Sequence, residues 1–245
     1  MPSNPYESDI KGRLEEIRTE IEQACQKSGR SVAEVQILAI SKKQSVEVIR
    51  AAYASGIHSF GESYLQEARE KMELLADLPD LHWEMVGHIQ SRKAKEVSQN
   101  FDRVHSLDSV KLAELLSKHR PATLPPLEAY LEVNLAGEAS KGGFLAKDQR
   151  DWEALFPIVE QISGLKGLKL IGLMAMPPLF ENSEDARPYF IKLRELRDLL
   201  NDVFPELMLE KLSAGTSSDF AIAIEEGATV IRIGERLLGP RNYSD

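Results

Sequence analysis

The sequence predicts a single (β/α)8 barrel with an extra N-terminal helix, and three observations predict it. Eight short apolar segments alternate with segments of helical periodicity, which is the order of a parallel α/β fold. The length of 245 residues is typical of one such barrel. The chain also lacks the G-x-G-x-x-G turn that is typical of an open, doubly wound sheet. We therefore expect one domain that spans residues 1–245.

The predicted elements follow one another along the chain without a linker or a repeat. The first is an amphipathic helix from about Tyr6 to Lys27, whose apolar residues recur at helical spacing. Strands are predicted at 35–42, 58–60, 82–85, 103–106, 127–133, 168–173, 209–212 and 229–233. Helices are predicted after all but the last strand, at Val46–Ala54, Tyr64–Ala76, Ser91–Gln99, Val110–His119, Gln149–Ile162, Ala186–Phe204 and Asp219–Glu226. The second and seventh strands are short, and their prediction depends on the regular alternation around them.

Composition limits the classes of partner. The net charge of −9 argues against nucleic acid or an anionic membrane, because both attract a basic surface. The chain has no run of about 18 apolar residues and no apolar signal segment at its start. Cys25 is the only cysteine, so an internal disulfide is excluded. We expect a soluble, cytoplasmic monomer.

Barrel geometry predicts where a functional site lies. Active sites of such barrels form at the C-terminal ends of the strands, and phosphate is commonly bound after the seventh and eighth strands. Lys42 ends the first predicted strand, the segment GTSSD (215–219) follows the seventh, and Gly234 and Glu235 follow the eighth. We expect all of these residues at one end of the barrel.

Lys42 is the candidate nucleophile. A lone lysine at the end of a strand most often extends into solvent. Side-chain alternation, however, places Lys42 on the same face as Leu38 and Ile40, whereas Lys43 points the other way. An amine inside the barrel mouth can form a Schiff base with an aldehyde. We therefore predict that Lys42 carries out this chemistry.

The segment GTSSDFAIAIEEG predicts a helix that begins at a serine N-cap and ends at Gly227. A helix start that contains Ser217 and Ser218 also suits a phosphate group, because hydroxyl and backbone N–H donors converge there. Asp219 argues against this assignment unless its carboxylate turns away from the phosphate.

Arg232 is the candidate partner for an aromatic ring. Ile231 and Ile233 share one face of the last strand, so Arg232 points into the barrel if the isoleucines pack against helices. A buried arginine needs an acceptor, which can be a pyridine nitrogen or an interior carboxylate, Glu84 or Glu132. Pyridoxal phosphate is the common cofactor that combines an aldehyde, a phosphate and a pyridine.

Other candidates are weaker. Met174 ends the sixth predicted strand, where it can line a ring or fill the core. His88 is interpreted as a loop residue, and no second histidine or cysteine lies at metal-ligand spacing.

The chain resembles the pyridoxal-phosphate homeostasis protein family, whose members are similar to the N-terminal barrel of alanine racemase. The resemblance extends from about residue 8 to 243. The motifs that carry it are, in chain order, ILAISKK, FGESYLQEA, VGHIQSRK, HSLDS, EASKGGF, GLMAMPP and LSAGTSSDFAIAIEEGATVIRIGERLLGPR.

The resemblance implies pyridoxal 5′-phosphate held covalently as a Schiff base on Lys42. It implies that Ser217 and the backbone at Gly234 and Glu235 bind the phosphate, and that Arg232 faces the pyridine nitrogen. Ser63, Met174 and Ser218 complete the expected cofactor-binding set. Members are thought to buffer or deliver the cofactor, with apo pyridoxal-phosphate enzymes as candidate recipients, and have no established enzymatic activity.

The chain departs from the pattern of the family at several positions. The family usually has Asn at Ser63, His at Glu84, Asn at Arg92, Met at Thr216 and Thr at Glu235. Glu235 matters most, because an ionised carboxylate cannot donate to a phosphate and repels it. We predict that the Glu235 backbone N–H contributes while its side chain turns outward.

The resemblance also limits the expected chemistry. A racemase needs an acid and a base on opposite faces of its substrate. Only Glu235–Asp245 follow the last predicted strand, and Tyr243 in this tail is a poor second base. We expect cofactor binding without efficient turnover. The alternatives are a weak racemase- or transaminase-like enzyme and a Schiff-base aldolase that uses no cofactor.

Overall fold

The computed structural model describes residues 5–138 and 141–241, and its main feature is a closed barrel of parallel strands. The predicted (β/α)8 barrel with an N-terminal helix is confirmed. The strands are β1 (Gln36–Ile40), β2 (Ser59–Glu62), β3 (His82–Met85), β4 (Arg103–Leu107), β5 (Leu127–Asn134), β6 (Phe144–Leu145), β7 (Leu168–Met174), β8 (Lys211–Ser213) and β9 (Val230–Ile233).

Eight of these strands close the barrel. Each pairs in parallel with its neighbours in the order β1, β2, β3, β4, β5, β7, β8, β9, and β9 returns to β1. The two-residue strand β6 pairs only with the C-terminal end of β5, outside this cycle. The sequence prediction did not include β6, because two residues carry no periodicity.

Helices surround the barrel. They are α1 (Glu7–Ser28), α2 (Val46–Ala54), α3 (Leu65–Leu74), α4 (Ala94–Asn100), α5 (Val110–His119), α6 (Gln149–Ala154), α7 (Phe156–Ser163), α8 (Arg187–Val203), α9 (Phe220–Glu225) and α10 (Glu235–Leu238). The helix α1 buries the apolar stripe Ile10, Leu14, Ile17 and Ile21. None of the helices in the described ranges has the length and apolar character needed to cross a membrane.

Two of the predicted elements differ from the structure for identifiable local reasons. The helix expected at Gln149–Ile162 is divided into α6 and α7, and Pro157 stands in the first turn of α7, where it is compatible with a helix start but not with a helix interior. The first strand, expected to reach Lys42, ends at Ile40. A turn follows it, in which the Gln44 N–H donates to the Ser41 carbonyl at 3.0 Å.

The barrel interior is divided between apolar and polar residues. Its apolar part is a small cluster of Leu38, Ile40, Tyr130, Ile171, Met174 and Val230. Polar side chains buried in the barrel strands include Glu84, His105, Ser213 and Arg232. Buried polar groups are costly unless they are hydrogen-bonded, so this part of the interior points to a functional role.

Candidate functional site

A cavity of about 480 Å³ lies at the C-terminal ends of the barrel strands, within the size range of small-molecule sites. Seven of the eight predicted site residues line it, namely Lys42, Ser63, Met174, Ser217, Arg232, Gly234 and Glu235. Ser218 is the exception, because it is exposed and is not part of the lining. The structure therefore brings together residues that are almost 200 positions apart in sequence.

Lys42 reaches the cavity from the turn after β1. It is half-buried, whereas Lys43 is exposed. The strand alternation used to choose between them does not apply, since β1 ends at Ile40 and Lys43 has a left-handed backbone with φ of 59°. Among the residues that the structure describes, Lys42 has no hydrogen-bond or ion-pair partner. Its amine is therefore available to a ligand.

Arg232 is a buried cation held by uncharged groups. Its guanidinium donates to the Ser213 carbonyl and hydroxyl oxygens, both at 2.8 Å, and to the Ala175 carbonyl at 3.0 Å. It forms no ion pair with Glu84 or Glu132, which sequence reasoning had left open as acceptors. Burial lowers the pKa of Arg232 to about 10, so the side chain remains protonated at neutral pH.

A chain of hydrogen bonds continues from Arg232 into the barrel. The Ser213 hydroxyl lies 2.8 Å from His105 Nδ1, and His105 Nε2 lies 2.6 Å from a Glu84 carboxylate oxygen. Arg103 donates to the other Glu84 oxygen at 3.1 Å. His105 also stacks on the ring of Tyr130, with centroids 4.2 Å apart.

The charge states of the residues in this hydrogen-bonded series follow from burial and pairing. Burial would raise the pKa of Glu84, but hydrogen bonds from His105 and Arg103 hold that pKa below its usual value. Burial lowers the pKa of His105, which keeps the ring neutral at neutral pH. Sequence reasoning missed His105, although it occupies an inward position on a buried strand and lines the cavity. Its inward position on the strand was the sequence signal that could have identified it.

The turn between β8 and α9 forms one wall of the cavity. Gly215 has φ of 89°, and a Cβ there would lie 2.8 Å from the Phe220 Cα, so the turn requires glycine. The predicted serine N-cap was wrong, because α9 begins at Phe220 and its N-cap, Asp219, makes no side-chain capping bond. The Asp219 carboxylate instead accepts the Thr216 N–H at 2.6 Å and the Thr216 hydroxyl at 3.0 Å.

The turn between β9 and α10 forms the adjacent wall. Glu235 is exposed at the edge of the cavity and accepts the Arg241 N–H at 3.4 Å, and its carboxylate lies 3.9 Å from Arg241 Nε. Arg236 donates to the Ser217 carbonyl at 3.2 Å and pairs with Glu20. Both arginines line the cavity, and sequence reasoning had not selected either of them.

The donors around the cavity fit an aldehyde that carries an anionic group and a basic ring. The Lys42 amine lies at one wall, the Ser217 hydroxyl lies at another, and the buried guanidinium of Arg232 lies among the interior strands. The described residues contain no group of three or more side chains suited to hold a metal ion.

Comparisons with known proteins agree with this arrangement. The family described as alanine racemase, N-terminal domain, matches residues 13–242. The pyridoxal phosphate homeostasis protein of Pseudomonas aeruginosa is 43% identical over 236 residues, covering 96% of this chain and 97% of the relative. The protein of that name from Aquifex aeolicus is 41% identical over 231 residues, covering 94% and 98%.

Solved structures extend the comparison. PipY of Synechococcus elongatus, solved with PLP bound, has a TM-score of 0.80 and 36% identity, and the match covers 94% of this chain and 100% of PipY. Alanine racemase of Corynebacterium glutamicum has a TM-score of 0.62 at 15% identity, and the match covers 91% of this chain and 61% of the racemase. The latter likeness concerns the fold alone.

Proposed function

This chain belongs to the pyridoxal phosphate homeostasis protein family, and on that premise we propose that it binds pyridoxal 5′-phosphate as a Schiff base on Lys42. In this proposal it contributes to the intracellular balance of the cofactor rather than to catalysis. One observation carries the proposal. An amine without a partner among the described residues shares a cavity with the buried guanidinium of Arg232 and the hydroxyl of Ser217.

Each part of the cofactor has a matching group in the cavity. The Lys42 amine matches the aldehyde, which the cofactor supplies for imine chemistry. The Ser217 hydroxyl and the backbone at Gly234 and Glu235 match the phosphate. The Glu235 carboxylate lies close to Arg241, which offsets its repulsion of a phosphate.

Arg232 supports a holding role over a catalytic one. It remains a charged donor at neutral pH, and a ring nitrogen that accepts from it stays unprotonated, which weakens the ring as an electron sink. The names of the relatives, which are homeostasis proteins rather than enzymes, agree with this role. We further propose a cytoplasmic monomer that supplies apo pyridoxal-phosphate enzymes.

The visible spectrum tests the attachment. Purified protein is mixed with pyridoxal phosphate, and Lys42→Ala is compared with Lys43→Ala as a matched control on the adjacent residue. We expect the Schiff-base absorption band to disappear in Lys42→Ala and to persist in Lys43→Ala, with unchanged far-UV circular dichroism in both. Borohydride reduction followed by peptide mass spectrometry identifies the modified lysine. A band that persists in Lys42→Ala contradicts the assignment.

A second experiment separates a carrier from a weak racemase-like enzyme. The loaded protein is incubated with single amino acids in deuterated water, and exchange of the α-proton is followed by NMR. We expect no stereospecific exchange above that of free cofactor. Exchange with repeated turnover that depends on Lys42 would instead identify an enzyme.

A further inference from the structure

An ionic cluster of Glu62, Glu67 and Lys71, in which Glu62 and Lys71 are buried, lies behind the turn that carries Lys42. Lys71 on α3 is 5% exposed, and Glu62 at the end of β2 is fully buried. The Lys71 ammonium donates to Glu62 at 2.7 Å and to Glu67 at 2.6 Å. Desolvating such groups offsets most of their attraction, so a buried ion pair is weak evidence of a purely stabilising role. The placement of this cluster suggests a different one.

The cluster binds the residues on both sides of Lys42. On one side, the Ser41 carbonyl accepts from the Lys71 ammonium at 2.6 Å, and the Ser41 hydroxyl donates to Glu62 at 2.7 Å. On the other side, the Lys43 backbone N–H donates to Glu67 at 2.5 Å. The peptide units that flank Lys42 are therefore both tied to one rigid group.

The backbone of this turn needs such support. Lys43 has φ of 59°, a left-handed conformation that costs roughly 1 kcal/mol or more for a residue other than glycine. Such conformations persist where the surrounding structure fixes them. The bond from Lys43 to Glu67 and the bond from Ser41 to Lys71 provide this fixation.

The two oxygens of the Glu62 carboxylate have different surroundings. One oxygen of Glu62 accepts from both Lys71 and Ser41, whereas the other oxygen is buried without a partner among the described residues. Burial raises the pKa of Glu62, and the Lys71 charge acts against this. Because Lys71 and Ser41 donate to the same oxygen of Glu62, the ammonium is held on the side of Glu62 that faces Ser41.

We propose that Lys71, together with Glu62 and Glu67, positions the 41–43 turn so that the Lys42 amine points into the cavity. This inference rests on the proposed attachment of pyridoxal phosphate to Lys42. The three side chains act through the backbone of the turn. A misplacement of about 1 Å can slow a reaction by roughly 100-fold, so the support of the turn matters for the rate of imine formation.

Glu67 gives the sharpest test. Its side chain is 26% exposed, against 6% for Lys71, so we expect the fold to tolerate its replacement better. Glu67→Ala removes the acceptor for the Lys43 N–H, whereas Glu67→Gln keeps an oxygen there. Glu70→Ala is a matched control, since Glu70 is exposed on the same helix. The rate of imine formation with pyridoxal phosphate is followed by absorbance, and total bound cofactor is measured by equilibrium dialysis.

We expect Glu67→Ala to form the imine about tenfold more slowly, while Glu67→Gln and Glu70→Ala stay within about twofold of the unmodified protein. Equal rates in Glu67→Ala and Glu70→Ala would overturn the inference. A loss of total binding in Glu67→Ala with an unchanged imine rate would overturn it too, because a purely structural role predicts that pattern.

A second readout does not depend on the proposed function. Cofactor-free protein is methylated with formaldehyde and borohydride, and labelling of Lys42 and Lys43 is compared by mass spectrometry. We expect the Lys42-to-Lys43 ratio to move toward one in Glu67→Ala and to stay unchanged in Glu67→Gln. An unchanged ratio in both variants refutes the positioning role. Absence of any imine in unmodified protein refutes the proposed function instead.

Discussion

Glu132 provides a prediction whose size follows from the structure. It lies near the C-terminal end of β5, where burial and then the neighbouring charge of Asp108 raise its pKa from 4.5 to about 6. The charges of Arg232 and His88 act in the opposite direction. The folded state therefore binds this proton more tightly than the unfolded state does.

The sign of the effect on stability follows from proton linkage. Between pH 4.5 and about 6 the folded chain holds more protons than the unfolded chain, so the free energy of unfolding falls as the pH rises through this window. Each pKa unit corresponds to about 1.4 kcal/mol, which gives a loss of about 2 kcal/mol above pH 6. Glu132→Gln does not titrate and avoids this loss.

Urea unfolding of cofactor-free protein at pH 4 and pH 7.5 measures the effect. We expect the stability of Glu132→Gln relative to the unmodified protein to be about 2 kcal/mol more favourable at pH 7.5 than at pH 4. Glu153→Gln, at an exposed position on α6, controls for the loss of one negative charge. A difference that is the same at both pH values, or that changes equally in the control, would refute the reasoning.

Two further predictions concern the packing and the polar interior. In Gly172→Ala the new Cβ would lie 1.8 Å from a backbone oxygen of β8, so we expect urea unfolding to show a loss of stability of about 3 kcal/mol or more. In the control Gly142→Ala the nearest neighbour of the new Cβ lies at 3.5 Å, and we expect that variant to be tolerated. Equal stability of the two variants contradicts this prediction. Ser213→Ala removes a hydrogen-bond partner from both Arg232 and His105, and we expect a lower urea midpoint that corresponds to about 1–3 kcal/mol; an unchanged midpoint would show that these groups find other partners.

The sequence predicted the barrel because its signals are local and repeated. Each β/α unit shows its own change of periodicity, and eight such changes in order determine the fold class. The end of β1 was not predictable in this way. The turn at Ser41 is held by Lys71, which lies on a helix 30 positions further along the chain. Contacts of that kind do not appear in a local pattern.

The site was predictable where topology alone determines the position. Lys42 follows β1 and Arg232 lies in β9, so the known polarity of the fold places both at the C-terminal end of the barrel. Ser218 lies in an exposed turn because α9 begins only at Phe220, and its contact with a phosphate stays a prediction. His105 was missed because its role depends on partners from two other strands.

The local charge of the cavity explains how an acidic chain can suit an anionic ligand. The net charge is −9, yet Lys42 and Arg232 line the cavity without an ion pair among the described residues. Arg236 and Arg241 lie at the edge of the cavity, and each is close to a carboxylate, that of Glu20 and that of Glu235 respectively. Because charges in salt solution are screened beyond about 8 Å, an anion in the cavity interacts mainly with these nearby cations, whereas the net charge of −9 belongs to the chain as a whole. The net negative charge and the cations of the cavity therefore act over different distances, so an acidic chain is compatible with a phosphate ligand.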